Sequence, residues 1–294
     1  MRQSLRHLQC RLLGIGVLAS HTSIRRLLRQ QKYSLKANRK SVASTQHPQR
    51  NQQFCYIRRI KALFIKAGHP VISVDTKKKE LIGNFKNIGQ AWCHAPERVN
   101  DHDFPQDAMA RAVPYGIYEV AHNRGYVYVG TSSDTADFAV TAIERWYARK
   151  DRARFSDESR LLILCDAGGS NGYRVRNWKV QLQRFADTYG VNVMVCHYPT
   201  GASKWNPIEH RLFSMISINW AGKPLRSIKA MTALIRGTST ETGLKVNATQ
   251  LKGYFPKQVK VSNQQMATLN LTRRKICPQW NYIVHSRNLE IQLA

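Results

Sequence analysis

The chain has 294 residues, enough to bury a sizeable core as one larger domain or two, and 43% are hydrophobic, a globular composition. Lys and Arg number 46 against 18 Asp and Glu, a formal charge of +28 that points to a polyanionic partner, most often nucleic acid. No apolar run approaches the roughly 18 residues that cross a bilayer, and six scattered cysteines without C-x-x-C spacing argue against a zinc framework or disulfide scaffold. A reducing, cytoplasmic setting is expected, with no membrane partner.

Residues 1–70 contain no Asp or Glu. That composition is shared by transit peptides, but here it carries organised helical signals. SLRHLQCRLL places Leu5, Leu8, Leu12 and Leu13 at helical spacing, GIGVLAS breaks it, and SHTSIRRLLRQQ restarts it with Ile24, Leu27 and Leu28 inward. Helix, glycine-containing turn and basic second helix outline a helix-turn-helix. Arg25, Arg26 and Arg29 then point away from the apolar face toward phosphates or base edges, and Lys36, Arg39 and Lys40 extend the basic surface. An ordinary solvated basic face is the competing reading. FCYIRRIKALFIKAG predicts a helix with Phe54, Ile57, Ile60, Leu63 and Phe64 on one side. The expected division is a DNA-binding segment over 1–49, a linker helix over 50–70 and a catalytic domain over 71–294.

VISVD predicts a strand ending on Asp75, with LIGNF pairing back on it after a lysine turn. VNDHDFPQD follows, where Asp101, His102 and Asp103 read as a turn before they read as ligands. GIYEVAHNRGYVYVG predicts a hairpin, and SSDTADFAVTAIERWYARK a helix capped around Ser133. Then come strand RLLILCD, helix YRVRNWKVQLQRFADTYG, strand VNVMVCHYP and helix NPIEHRLFSMISINW. Three early strands, a helix, then alternating units predict an α/β fold: a ribonuclease-H-like mixed sheet with flanking helices, preceded by a small helix-turn-helix-like segment.

Three carboxylates stand out in that frame. Asp75 and Asp166 end strands, and sites in open sheets gather at carboxyl ends. Glu209 opens the helix after the next strand, although Asn206, Pro207 and Glu209 also read as a capping box, a competing use of that side chain. Asp75 also reads as the start of a turn. Together they suit a hard divalent cation, which prefers a few carboxylates plus water and substrate phosphate. Two such ions about 3.5–4 Å apart can activate an attacking oxygen and stabilise a leaving one in phosphoryl displacement. Lys77, Lys78, Lys79 and Lys204 lie beside these acids in sequence, placed to hold a DNA backbone. His197 and His210 flank the site in supporting rather than ligating positions. No G-x-S-x-G, H-E-x-x-H or phosphate-loop pattern supports another chemistry.

VISVDTKKKELIGNFKN, HDFP, PYGIYEV, LLILCDAGGSNGYRVRNWK, VCHYPTGASKWNPIEHRLFS and NLTRRK…WNY together resemble the insertion-sequence DDE transposases of the Rhodopirellula type, distant relatives of mariner-type enzymes, over roughly residues 20 to 285. The resemblance implies a ribonuclease-H-like core whose catalytic and metal-binding acids are Asp75, Asp166 and Glu209. It implies Mg²⁺, for which Mn²⁺ can substitute, cleavage at transposon ends and transfer of the freed 3′-hydroxyl into target DNA. Double-stranded DNA is the expected partner, in a synaptic complex of at least two copies. SHTSIRRLLRQQKYSLKANRK resembles the end of the family's DNA-binding region, whose longer front part is expected to be missing here. Two rivals stand beside this reading: a nuclease or resolvase that cuts without strand transfer, and an inactive remnant that only binds DNA.

Overall fold

The structure is a computed structural model that describes residues 4–36, 47–149, 155 and 159–288. Two compact units form, residues 1–44 and 45–294. Among the described residues no helix is long and apolar enough to cross a membrane.

In the first unit, helices α1 (Leu5–Gly14) and α2 (His21–Gln30) are capped by Ser4 and Ser20, whose side chains accept from the backbone N–H of His7 and Ser23. These caps stand where the serines in the sequence put them. Ile24 is buried, whereas Leu13 and Leu27, both expected to face inward, are 59% and 49% exposed. Arg25, Arg26, Arg29 and Lys36 are exposed, and Arg39 and Lys40 lie outside the described residues.

The second unit is built on a large mixed sheet. Strands β1 (Val71–Thr76), β3 (Ala110–Glu119) and β4 (Arg124–Gly130) form an antiparallel meander. After helix α4 (Ala136–Tyr147), β5 (Arg160–Cys165) returns parallel to β1. After helix α5 (Arg176–Tyr189), β6 (Asn192–His197) lies parallel to β5. The resulting order β4-β3-β1-β5-β6 is ribonuclease-H-like. Short β2 (Glu80–Ile82) pairs with β3, not with β1 as its sequence position suggested, because residues 77–79 do not reverse the chain: β1 pairs with Tyr115–Glu119 and β2 runs on in the same direction beside Ala110–Ala112. Later segments extend both edges, β7 (Lys245–Gln250) beside β4 and β9 (Asn281–Val284) with β8 (Leu271–Arg273) beside β6.

Alternation along β1 sorts its side chains between two cores. Ile72 and Val74 face α4 and α5, where Phe138, Ile143, Trp146, Trp178, Leu182 and Phe185 form the larger core. Such side chains each contribute about 1.5–3 kcal/mol on full burial. α5 shows why: Trp178, Leu182, Phe185 and Ala186 recur at helical spacing, and Gly190 ends the helix at φ 63°. Helix α4 is capped by Thr135 rather than Ser133.

On the opposite face lies helix α3 (Arg50–Lys66), which packs Tyr56 and Ile57 onto Val71, Leu162, Leu164 and Cys196. The segment expected as a linker is therefore part of this unit's core. Leu63 is exposed instead of inward, and Gln53 is fully buried, exchanging hydrogen bonds with Asn281 and donating to the His197 carbonyl. The same face carries the helical segment that starts at Pro207 and runs into α6 (Ser214–Asn219), and α7 (Ile228–Arg236) packs beside it.

Candidate active site

Asp75 is the fifth residue of β1, and Asp166 directly follows β5, the parallel neighbour of β1. Both carboxylates thus meet at the carboxyl edge of adjacent strands. Burial and the negative charges of Asp166 and Glu209 push the Asp75 carboxyl up to about 8, against a hydrogen bond from the Thr76 N–H at 2.8 Å. Burial and Glu209 push Asp166 up to about 6, against a bond from Asn206. The causes are the same for each: an anion removed from water and set beside other anions.

Glu209 begins a π turn, Glu209–Phe213, that replaces the regular helix expected there. Single π turns inside helices recur at functional sites. This one lets Ile208, Leu212 and Phe213 all bury against the sheet. Two glycines make room for it: a Cβ on Gly116 would meet Phe213 at 2.5 Å and Ile208 at 2.8 Å, and one on Gly125 would meet Leu212 at 2.4 Å.

The capping box does not form. Asn206 turns away from the helix, donating from Nδ2 to Asp166 Oδ1 at 3.0 Å while its Oδ1 accepts from the Ser73 hydroxyl. Ser73 Oγ in turn accepts the Ile208 N–H at 3.1 Å, so a strand residue caps the helix in place of the local asparagine. Ser73 stands two positions before Asp75 and so shares its strand face. Glu209 receives no side-chain cap duty and is left half-buried beside the two aspartates.

Beneath Asp166 lies a buried network. His197 Nδ1 stands 2.9 Å from the Asp166 carbonyl, and its Nε2 stands 3.2 Å from the Tyr282 hydroxyl, which accepts from Trp178 Nε1 at 3.0 Å. Burial lowers His197 to about 4, so the ring is neutral. With a carbonyl facing Nδ1, the proton sits there, and Nε2 accepts from Tyr282. His210, by contrast, is exposed and touches the Lys204 carbonyl.

A fourth acid was not singled out in the sequence. Asp134 accepts from Thr76 Oγ1 at 3.0 Å and adds its charge to those that raise Asp75. Its SSDT context reads as a helix cap, which hid it. Asp75, Asp134, Lys77, Lys78, Lys79 and Arg111 share the wall of one cavity of about 390 Å³. Lys78 and Lys79 are exposed. Lys77 is 9% exposed, 3.5 Å from Glu80 and 4.6 Å above the Trp220 ring, and burial lowers its proton affinity. Lys204 is exposed on the short turn Ser203–Trp205. Asp101, His102 and Asp103 lie on an exposed loop, with His102 3.3 Å from Asp101.

Among the described residues no three His, Cys, Asp or Glu side chains are drawn together as a preformed metal cage. The donor chemistry still suits a hard cation, which commonly takes one or two carboxylates and completes its shell with water and phosphate. Two half-buried aspartates whose proton affinity is raised by burial and by neighbouring negative charge are the kind of site a divalent ion relieves.

No curated protein matches the sequence. Among solved structures, a pre-cleavage Mos1 transpososome is similar at 12% identity with a TM-score of 0.48, over 79% of this chain and 65% of that one. A Mos1 mariner paired-end complex with Mn is similar at 13% identity and a TM-score of 0.47, with the same coverage. The chain thus spans 65% of the length of those transposases. The family described as Rhodopirellula transposase DDE domain matches residues 1–286, from the first residue through β9. The chain belongs to that family of transposase DDE domains.

Proposed function

We propose that the protein is a metal-dependent DNA transposase, cleaving DNA at transposon ends and joining the freed 3′-hydroxyl to target DNA, with Asp75, Asp166 and Glu209 as its catalytic acids. The observation that carries this reading is the pairing of Asp75 and Asp166 on adjacent strand ends, both protonated more readily than ordinary carboxylates, with Glu209 released from its own cap to face them. Membership of the transposase DDE family supports it.

In this reading the three acids hold Mg²⁺ or Mn²⁺, which when bound activates the attacking oxygen and stabilises the leaving one. The protein's own part is positioning. Asn206 and the His197 network fix the Asp166 side chain and backbone, and the Ser73 cap fixes the start of the helix that presents Glu209. Lys78, Lys79 and Arg111 line the cavity beside Asp75, placed for phosphates of the bound strand. Exposed Arg25, Arg26, Arg29 and Lys36 in the N-terminal unit serve end binding, so residues 1–49 act as the DNA-binding segment and 71–294 as the catalytic domain. Two transposon ends held together imply at least two copies.

A second reading, a DNA-binding remnant without turnover, is favoured by one observation: the acids are not gathered as a ready cage among the described residues. One experiment separates the two. Purified protein is mixed with a supercoiled plasmid carrying the gene's own flanking DNA, with Mg²⁺ or Mn²⁺, alongside Asp166→Asn. Metal-dependent cuts at the flanks, absent in the variant, with joined products on longer incubation, support the transposase. Binding without cutting in both proteins selects the remnant, and cutting without joining selects a nuclease.

A further inference from the structure

Two cavities meet beside Asp75. The cavity of about 390 Å³ that holds Asp75 extends to Asp134 and Ser170. A second, of about 230 Å³, starts at those same two residues and continues to Pro256, Lys257 and Val259. Asp134 and Ser170 line both, so the two cavities lie side by side as a trough between the acids and an irregular strap, residues 251–261, that follows β7.

The strap is pinned at several points. Leu251 N–H donates to the Val129 carbonyl at 3.0 Å, and the Phe255 N–H donates to Ser132 Oγ at 3.1 Å. The Phe255 ring packs on Phe138 at 5.2 Å between centroids, and Arg176 donates to the Val261 carbonyl at 3.1 Å. Between these anchors Lys252, Lys257 and Lys260 are exposed, and Tyr254 is 83% exposed. A fixed loop that spends a tyrosine on solvent departs from the usual burial of aromatic rings. No acid occurs anywhere from residue 242 to 289 to offset the lysines. At the junction of the two cavities, Ser170 Oγ is buried without a hydrogen-bond partner.

We propose that this trough and strap seat an unpaired stretch of a DNA strand running away from the acids, with phosphates on Lys257 and Lys260 and a base stacked on Tyr254. The inference rests on the proposed DNA-processing function of the same site. Cations spaced along a groove follow a sugar-phosphate backbone, and an exposed ring offers the stacking surface that single-strand binders use. A duplex keeps its bases stacked internally and has no free face for Tyr254.

The test measures binding by fluorescence anisotropy in EDTA, with the full chain, an oligothymidylate and a duplex of equal length. Tyr254→Ala is expected to weaken oligothymidylate binding by about 5- to 150-fold, with Tyr254→Phe binding as the wild type does and duplex affinity unchanged in both. The double variant Lys257→Gln/Lys260→Gln is expected to reduce the slope of log affinity against log salt by about 1.4. Wild-type melting temperatures would show these exposed changes leave the fold intact. The proposal is overturned if the wild type does not bind the single strand, if the alanine or the double-glutamine variant binds it like the wild type, or if Tyr254→Ala loses duplex affinity equally. Because metal is absent, a wild type that never cuts plasmid removes the transposase reading and leaves this result standing.

Discussion

Asn206 donates to the Asp166 carboxylate at 3.0 Å from a position three residues ahead of Glu209, so one side chain ties the second acid to the helix that delivers the third. The same amide accepts from Ser73, two residues before Asp75, which links all three acids through a single buried group.

Removing that group should therefore damage stability and turnover together. Asn206→Ala leaves the Ser73 hydroxyl with a lost partner and Asp166 without its donor, at a cost of about 1–3 kcal/mol. Plasmid cleavage should fall by about 10- to 100-fold, as for groups that orient metal-binding side chains. Urea unfolding and cleavage rates measure both, and unchanged cleavage would contradict the linkage.

Metal-free stability should depend on pH in an unusual direction. Asp75 at about 8 and Asp166 at about 6 lie above the ordinary carboxylate value, so between roughly pH 4 and 8 the folded chain retains protons that the unfolded chain has lost. The folded state is favoured below that window, and the advantage is lost as pH rises through the folded values. Urea midpoints in EDTA should drop steadily across the window. Asp75→Asn should flatten most of the slope.

Divalent cation should reverse the loss at the alkaline end. At pH near 8, saturating Mg²⁺ is expected to stabilise the wild type by about 2–3 kcal/mol once its concentration is roughly a hundredfold above the dissociation constant. Asp166→Asn should show little of this gain. An equal Mg²⁺ shift in both proteins would mean that the ion binds elsewhere.

Gly116 separates backbone room from chemistry. An alanine there must displace the rigid Phe213 ring and Ile208, at about 1–3 kcal/mol. Gly125→Ala meets the flexible end of Leu212 and should cost less. Because the displaced residues flank Glu209 in the helix, Gly116→Ala should lose more cleavage than its change in melting temperature accounts for.

The three lysines after Asp75 should not behave alike. Lys78→Gln and Lys79→Gln alter exposed charges and should each lower the salt slope of duplex binding by about 0.9 if they meet a phosphate, with melting unchanged. Lys77→Gln leaves Glu80 without its partner and uncovers the Trp220 ring, so its effect should appear in melting first.

Much of the central sheet was legible because its signals are local. A β-branched run marked β1, apolar runs marked β5 and β6, and helical spacing marked α4 and α5. What escaped depends on partners distant in sequence. Asn206 reads as a cap because capping is the local use of that residue, and only the arrival of Ser73 from β1 frees it for Asp166. The π turn has no periodicity of its own, since it arises where two sheet glycines accept Leu212 and Phe213 side by side. Asp134 was masked in the same way, by a plausible duty in its own turn. β7 is an edge strand with a single buried residue, too weakly patterned to announce itself.

Both rims of the five-strand core are closed by chain that comes after Glu209: β7 covers β4, and β9 covers β6. A ribosome that has just released Glu209 has made every acid of the site and none of the strands that seal the sheet. The nascent product would present two bare rows of backbone donors and acceptors, the condition that invites pairing with other chains rather than folding alone. Premature termination between Glu209 and β9 is therefore expected to yield a chain with open sheet edges that aggregates rather than folds.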